Sequence, residues 1–196
     1  MAQLNEHAIE MLKETDLPDL SHLHGLVGNY LAASLAGFVD KHGLEFSRRL
    51  ATVCRLVDKA KKEYQETRNL IGKDEKEREM SYEEIIKRNE GQYLYLISTI
   101  DYLENCLSAV SRIYKLLPEL GIAHESDQAR AIIDIRNSIE HVDERISRAV
   151  EGPLAPIISE GDLAVTVGGD SIKVKDLAEE IERIHQEVSN ILSSKL

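Results

Sequence analysis

The sequence predicts an all-α protein, an antiparallel bundle of about five to six helices with one small β-hairpin near the C-terminus. Over most of the chain, apolar residues recur in alternating steps of three and four, which places them on one face of a helix. Pro and Gly residues lie mostly between these stretches, where they end helices. One stretch near residue 165 instead carries short β-type runs on either side of a Gly pair, which is typical of a hairpin.

The length of 196 residues suits one domain with a sizeable core. Residues 1–196 are therefore predicted to form a single helical domain. Its parts in chain order are N-terminal helices (1–72), a long helix followed by a helix with a polar back (81–151), a β-hairpin (163–175) and a C-terminal helix (176–195).

Two helices are predicted before residue 42. The first covers residues 3–14 and ends before Pro18. Its inner face carries Leu4, Ala8, Met11 and Leu12. The second covers residues 20–41 and ends at His42, with Gly43 just beyond it. Small residues recur in this helix at every fourth position, a pattern that predicts tight packing against another helix. They form two rows, Gly28, Ala32 and Ala36 in one and Asn29, Ala33 and Gly37 in the other.

Two longer helices follow. One is predicted over residues 45–71, and a highly charged connector, 72–79, separates it from the next. Ser81 followed by Glu84 has the spacing of a capping box, so a helix starts there and runs to Leu117. Pro118 and Gly121 end it.

The helix that follows Ser126 has the clearest periodicity and is predicted to continue to residue 151. Its apolar stripe consists of Ile132, Ile135, Ile139, Val142, Ile146 and Ala149. Beyond it, Leu163–Val167 and Ile172–Lys175 flank Gly168–Ser171, which predicts the hairpin. Such a hairpin must pack on the bundle to be stable. Asp176 is predicted to cap the last helix.

The net charge of −11 opposes nonspecific binding of nucleic acid, which relies on Lys and Arg. A nuclease would therefore need a local basic patch. One basic run on the third helix offers candidates, although a solvated helix face is the favoured interpretation. It comprises Arg48, Arg49, Arg55, Lys59, Lys61 and Lys62.

The two cysteines, Cys54 and Cys106, are far apart in helical patterns and fit buried free thiols of a reducing compartment. The N-terminus lacks the pattern of a signal peptide, and no apolar run is long enough to span a bilayer. A cytoplasmic protein without membrane contact is predicted. The pair Glu182-x-x-His185 has no second copy, as a di-iron bundle would need. No metal or cofactor is therefore predicted.

Three polar residues stand out on the back of the helix after Ser126. With about 100° per residue, Asn137 and His141 lie about 160° from Ile139, opposite the apolar stripe. They are i,i+4 neighbours, so their side chains can touch. Arg136 lies at the edge of the stripe, where its stem can be buried while its guanidinium turns to the polar side.

These three side chains suit cleavage of a phosphodiester without a metal. His141 can exchange a proton with a 2′-hydroxyl or a leaving oxygen, because imidazole titrates near neutral pH. Arg136 can bind a phosphate and stabilise charge in the transition state. Asn137 can orient the imidazole or the phosphate.

The run Arg136-Asn137-Ser138-Ile139-Glu140-His141 resembles the motif of the HEPN domain family, an Arg and a His with four to six residues between them and often a polar residue directly after the Arg. The resemblance implies a helical homodimer in which two motifs meet in a composite cleft. Many members are metal-independent endoribonucleases in toxin–antitoxin, phage-defence or RNA-processing systems, and others are not catalytic. RNA is thus the implied substrate, and an antitoxin or defence protein an implied partner.

One departure from the family concerns control of toxin members. In some of them a nucleotidyltransferase modifies a Tyr two residues after the His, and this chain has Asp143 there. Modification at that position is therefore not expected.

Two hypotheses follow for the function. The first is an endoribonuclease with Arg136, Asn137 and His141 as catalytic residues and a second copy supplying a second imidazole. The second is a non-catalytic helical dimer that binds a protein or a nucleotide. An Arg136 tied to Glu140 or Asp143 on an exposed face counts against the first.

Overall fold

The computed structural model describes residues 17–71, 82–123, 126–141, 157–159, 163–167 and 170–194, with the backbone alone for 71, 82–96, 157–159 and 194. These ranges confirm a mostly helical fold with a small antiparallel sheet near the C-terminus. The helices are α1 (Leu26–Leu35), α2 (Phe38–His42), α3 (Leu44–Ile71), α4 (Tyr82–Leu116), α5 (Asp127–Glu140) and α6 (Val174–Ser194). The strands are β1 (Ile157–Ser159), β2 (Ala164–Val167) and β3 (Asp170–Lys173).

Helices α3 and α4 form the central antiparallel pair. The Sγ of Cys106 lies 3.4 Å from the carbonyl oxygen of Ala60, and at the other end Arg49 Nε lies 2.7 Å from Glu119 Oε2. The two facing seams are buried and supply most of the core between these helices. They include Leu50, Val53, Val57, Tyr64, Leu103, Leu107 and Val110. The predicted helices over 45–71 and up to Leu117 are confirmed in the described ranges.

The predicted buried free thiols are confirmed. Cys54 and Cys106 are unpaired and buried on the central pair. Burial disfavours the thiolate and raises the pKa of both groups, that of Cys54 to about 12. Both side chains therefore act as small apolar residues in the core.

The prediction of one helix over residues 20–41 is wrong. The segment 17–25 is not helical, because side chains of α3 bind its carbonyl groups instead. Tyr64 Oη donates to the carbonyl oxygen of Pro18 (3.1 Å), Lys61 Nζ to that of Leu23 (2.6 Å) and Arg68 Nε to that of Leu17 (2.9 Å). These side-chain donors replace the backbone N–H donors that would bind the same carbonyl groups in a longer helix.

Helix α1 begins where Asp58 of α3 caps it. Both carboxylate oxygens of Asp58 accept, one from Leu26 N (2.9 Å) and the other from Val27 N (3.0 Å). The helix ends before Gly37, whose φ of +92° belongs to the left-handed region that favours glycine. The short α2 then ends at His42, with Gly43 at φ +82° as predicted.

The predicted tight packing of Gly28, Ala32 and Ala36 is wrong. All three residues are exposed, and a Cβ placed on Gly28 would meet nothing within 4 Å. Helix α1 instead packs on α3 and α6 through Leu26 and Ala33, so this row faces outward and Ala33 of the other row faces the core.

The C-terminal region combines the predicted hairpin with one unpredicted strand. β2 pairs antiparallel with β3 and, on its other side, with β1. Asp170 and Ser171 belong to β3, so the closing loop is shorter than the sequence suggested. The sheet packs on α5 and α6, which supplies the support that a hairpin needs. Helix α6 begins at Val174, so Asp176 lies in its first turn and is not its cap.

A buried ionic cluster joins α4 to α6. Tyr114 Oη donates to Glu180 Oε2 (2.7 Å), and Arg183 bridges Glu180 (2.7 Å) and Glu187 (2.6 Å). Burial raises the pKa of Tyr114, and the neighbouring carboxylate of Glu180 acts in the same direction. The cluster gives every charged partner a counter-charge inside the interface.

Several predictions from the sequence lie outside the described residues. They are the helix over 3–14, the charged connector 72–79 and the Ser81 cap. Among the helices that are described, none has the length and apolar character needed to cross a membrane.

We predict that Asp58→Ala lowers the free energy of unfolding by about 1–2 kcal/mol, because it leaves two N–H groups at the start of α1 without an acceptor. Urea unfolding followed by circular dichroism measures the change. Asn69→Ala, which removes an exposed polar side chain from the same helix, is the control and is expected to change the free energy by less than about 0.5 kcal/mol. Equal stability of the two variants would contradict the capping role.

The second prediction concerns His185, which is buried on α6 and donates from Nε2 to the carbonyl oxygen of His24 (2.9 Å). Burial lowers its pKa below the ordinary value of 6.5, and the charges of His24 and Lys61 act in the same direction. Below pH 6.5 the unfolded chain therefore binds a proton that the folded chain resists. We predict that the free energy of unfolding falls as the pH decreases from about 6.5.

The measurement compares wild type with His185→Gln across that pH range by urea unfolding. His185→Gln keeps a donor but cannot titrate, so its stability is expected to depend less on pH between about 6.5 and 5. Parallel pH profiles of the two proteins would show that His185 does not control this dependence.

Candidate functional site at the α4–α5 cleft

Helix α5 begins at a cap that the sequence predicted and ends earlier than predicted. Ser126 Oγ accepts from Ala129 N (2.9 Å) at its start. At its end, His141 leaves the helical conformation (φ −109°, ψ 31°), although its N–H still donates to the Asn137 carbonyl oxygen (3.0 Å). The prediction of an unbroken helix to residue 151 is therefore wrong at His141, where no Gly or Pro marks an end. Residues 142–156 lie outside the described part.

The buried face of α5 determines where its polar residues lie. Ile132 and Ile135 are fully buried, and the helix packs on α4 on one side and on the small sheet on the other. Ile139 is partly buried at the edge of the core. This confirms the predicted apolar stripe over its described part and holds the last turn of α5 against α4.

Arg136 occupies the edge position that the periodicity predicted. Its side chain is only 18% exposed, and its guanidinium forms an ion pair with Glu140, one turn further along the helix. Its Nη1 donates to Asn137 Oδ1 (3.3 Å). Its Nε is buried and has no hydrogen-bond partner among the described residues.

The other two predicted residues are closer to solvent. Asn137 is half-buried and contacts Arg136, while His141 is exposed at the end of α5. The three predicted catalytic residues therefore lie within the last turns of one helix. The amide oxygen of Asn137 accepts a hydrogen bond from the guanidinium of Arg136.

A cleft of about 350 Å³ opens between α4 and α5 beside Arg136. Residues on one face of α4, at spacings of three and four, form one wall, and three residues of α5 form the other. The lining consists of Asp101, Glu104, Asn105 and Ser108 of α4 with Arg136, Ile139 and Glu140 of α5. His141 is not part of this lining.

The charge of the cleft is acidic. Three carboxylates, those of Asp101, Glu104 and Glu140, line it with a single guanidinium. Partial burial raises the pKa of Glu104, and the negative charge of Asp101 adds to that effect. An incoming phosphate would therefore meet repulsion from α4 while it approaches Arg136.

Sequence reasoning missed the α4 wall. Its four residues recur at i, i+3, i+4 and i+7, which is the polar counterpart of the buried seam at Leu103 and Leu107. That spacing was available in the sequence. The proximity of these four residues to Arg136 was not available in the sequence, because it depends on how α5 packs on α4.

Two other candidates from the sequence do not form a site in the described residues. His185 binds a carbonyl group of the chain, whereas Glu182 is exposed and lies 3.3 Å from His22 Nε2. Across the described ranges, no group of three or more His, Cys, Asp or Glu side chains has the geometry to hold a metal ion.

Comparisons with protein-family models, with curated proteins and with solved structures found no match to this chain.

We predict that Glu140→Gln changes the free energy of unfolding by less than about 1 kcal/mol, because Glu140 is 44% exposed and surface ion pairs contribute little. Ile135→Ala, on the buried face of the same helix, is expected to cost about 2–5 kcal/mol. Urea unfolding of both variants measures the contrast. A comparable loss in the two would mean that the ion pair holds α5 in place.

Proposed function

We propose that the chain is a HEPN-like, metal-independent endoribonuclease in which Arg136 binds the scissile phosphate and His141 transfers protons. A 2′-hydroxyl would attack the adjacent phosphorus, displace the 5′-oxygen of the next nucleotide and leave a 2′,3′-cyclic phosphate. The proton leaves the 2′-oxygen for one imidazole, and a second imidazole returns a proton to the leaving oxygen.

The observation that carries this proposal is the unsatisfied Nε of Arg136. A buried donor without an acceptor costs about 1–3 kcal/mol, so an acceptor that reached this Nε would be stabilising. Arg136 lines an open cleft, and its planar guanidinium suits paired oxygens. A phosphate oxygen is an acceptor of the required kind.

Glu140 competes for the same guanidinium. Its carboxylate is 44% exposed, so the ion pair contributes at most about 1 kcal/mol and a phosphate can displace it. In this proposal Glu140 holds Arg136 in position before substrate binds and moves to solvent when a phosphate enters.

The reaction needs two imidazoles, and each chain offers one at this helix end. His141 is exposed and does not line the cleft of its own chain. An exposed position allows it to face a second copy. A homodimer that brings two α5 ends together would therefore supply the acid and the base.

The acidic wall favours a second candidate, a non-catalytic helical module. Asp101, Glu104 and Glu140 outnumber the single guanidinium, so the isolated cleft attracts cationic groups more than phosphates. In this case a Lys or Arg side chain of a partner protein would enter the cleft and bind its carboxylates.

One experiment distinguishes the two candidates. Single-stranded and structured RNA are incubated in EDTA with wild type, His141→Ala, Arg136→Ala and Glu140→Gln. The endoribonuclease proposal predicts cleavage that falls by about 10²–10⁴-fold in His141→Ala, since proton transfer by a positioned imidazole contributes that much. Glu140→Gln is expected to bind RNA more tightly, because it removes the competing charge.

His22→Ala is the matched control, since it removes an exposed imidazole from the far part of the chain and is expected to keep full activity. Cleavage that persists unchanged in His141→Ala would indicate a contaminating nuclease. Absence of cleavage in wild type and Glu140→Gln alike would contradict the enzyme. Capture of a basic peptide that Asp101→Asn/Glu104→Gln abolishes would then establish the second candidate.

A further inference from the structure

The α4 wall of the cleft carries hydrogen-bonding groups that the described part of the chain does not use. Its side chains are those of Asp101, Glu104, Asn105 and Ser108. Among the described residues, none of these four side chains has a hydrogen bond or an ion pair. A ligand that enters the cleft must therefore offer groups that match theirs, because it displaces the water around them.

Glu104 is the charged side chain of this wall that has least access to water. It is half-buried, whereas Asp101 is exposed. Burial raises the pKa of Glu104, and the charge of Asp101 adds to that effect, so the surroundings disfavour its carboxylate. Two N–H donors placed on its paired oxygens would stabilise that charge. Glu104 is therefore the acceptor to which a ligand with two neighbouring donors binds most favourably.

Donors lie next to this acceptor on the same wall. The carboxylate of Glu104 only accepts, whereas the amide of Asn105 and the hydroxyl of Ser108 can both donate. Ser108 follows Glu104 by one helical turn, so the two side chains are neighbours. Ile139 adds an apolar surface on the α5 side, and the volume of about 350 Å³ falls within the range of small-molecule sites. The cleft thus suits a flat polar ring that carries two adjacent donors with an acceptor beside them.

Guanine is the RNA base whose edge has this pattern. Its N1–H and 2-amino groups lie side by side, and O6 follows them, whereas no other RNA base places two donors next to each other on that edge. An arginine side chain of a partner also offers two parallel N–H groups to a carboxylate. It has no acceptor, however, and would leave the donors of Asn105 and Ser108 unmatched.

We infer that the α4 wall binds a guanine base, with Glu104 accepting from N1–H and the 2-amino group while Ser108 or Asn105 donates to O6. The site rests on the proposed function, because Arg136 is then the group that binds the 3′-phosphate of the same guanosine. RNA would accordingly be cleaved on the 3′ side of guanosine. The carboxylates that repel a phosphate then have a role of their own, since they read the base while Arg136 binds the phosphate.

The binding test compares guanosine 3′-monophosphate with inosine 3′-monophosphate, which lacks only the 2-amino group, by isothermal titration calorimetry in EDTA. Wild type is expected to bind the guanosine nucleotide at least about tenfold more tightly, since hydrogen bonds to charged groups are the strong ones. Glu104→Gln is expected to lose this preference, because an amide offers one acceptor oxygen in place of two. Arg136→Ala is expected to weaken the binding of both nucleotides and to keep the preference.

Glu179→Gln is the matched control, because it removes an exposed carboxylate from α6, away from the cleft. It is expected to bind both nucleotides as wild type does. The comparison of guanosine with inosine in wild type needs no variant, so a loss of folding in Glu104→Gln cannot produce it.

The cleavage test uses single-stranded oligouridine that contains one guanosine, inosine, adenosine or cytidine. Wild type is expected to cut after guanosine at least about tenfold faster than after inosine. Cleavage without a preference among the bases would leave the proposed function intact and overturn the guanine site. Absence of cleavage together with a Glu104-dependent preference for the guanosine nucleotide would contradict the enzyme and support the guanine site.

Equal affinity for the two nucleotides, no binding of either, or a preference that persists in Glu104→Gln would overturn the guanine site whether or not RNA is cleaved. So would the binding of an arginine peptide to the cleft in place of both nucleotides, which would assign the α4 wall to a basic partner.

Discussion

The close contact between α3 and α4 is the constraint on which the other elements depend. A small residue, Ala60, lets Cys106 approach to 3.4 Å from the backbone of the neighbouring helix. The seams on either side of this point are fully buried, and they set the positions of both helices along their length. Helices α1, α2, α5 and α6 pack on this pair, and the small sheet packs in turn on α5 and α6. A change in their register would displace the α1 cap at Asp58 and the α4 wall of the cleft together.

The cleft shows how this constraint produces a site that neither helix contains by itself. The buried isoleucines of α5 pack one side of that helix on α4 and on the sheet. Arg136 therefore lies at the boundary between core and solvent. There its side chain is largely buried, its guanidinium pairs with Glu140 of the same helix, and Asp101 and Glu104 of α4 line the same cleft. Arg136 contributes the single guanidinium of the cleft lining, and this makes the cleft the candidate binding site.

The electrostatics of the site are balanced between two kinds of ligand. The motif side chains suit a phosphate, whereas the wall of α4 suits a cation. Glu140 affects the binding of both kinds of ligand, because its carboxylate neutralises Arg136 in the isolated chain and is exposed enough to be displaced. An Arg136 tied to Glu140 on an exposed face would have counted against an enzyme. Arg136 is tied to Glu140, but its side chain is largely buried, so this condition is met only in part.

Periodicity in the sequence determined the fold class, the long helices and the edge position of Arg136, because burial of an apolar stripe requires little more than the helical repeat. It did not determine that α1 turns Gly28 and Ala32 outward, since spacing alone does not say which face meets a partner. The non-helical segment 17–25 was also decided elsewhere, by hydrogen bonds from side chains of α3 that are distant in the chain. The α4 wall is the clearest case, because its residues become a site only when two helices dock. Local patterns specify which face of a helix is apolar, and tertiary packing alone decides what that face and its polar counterpart meet.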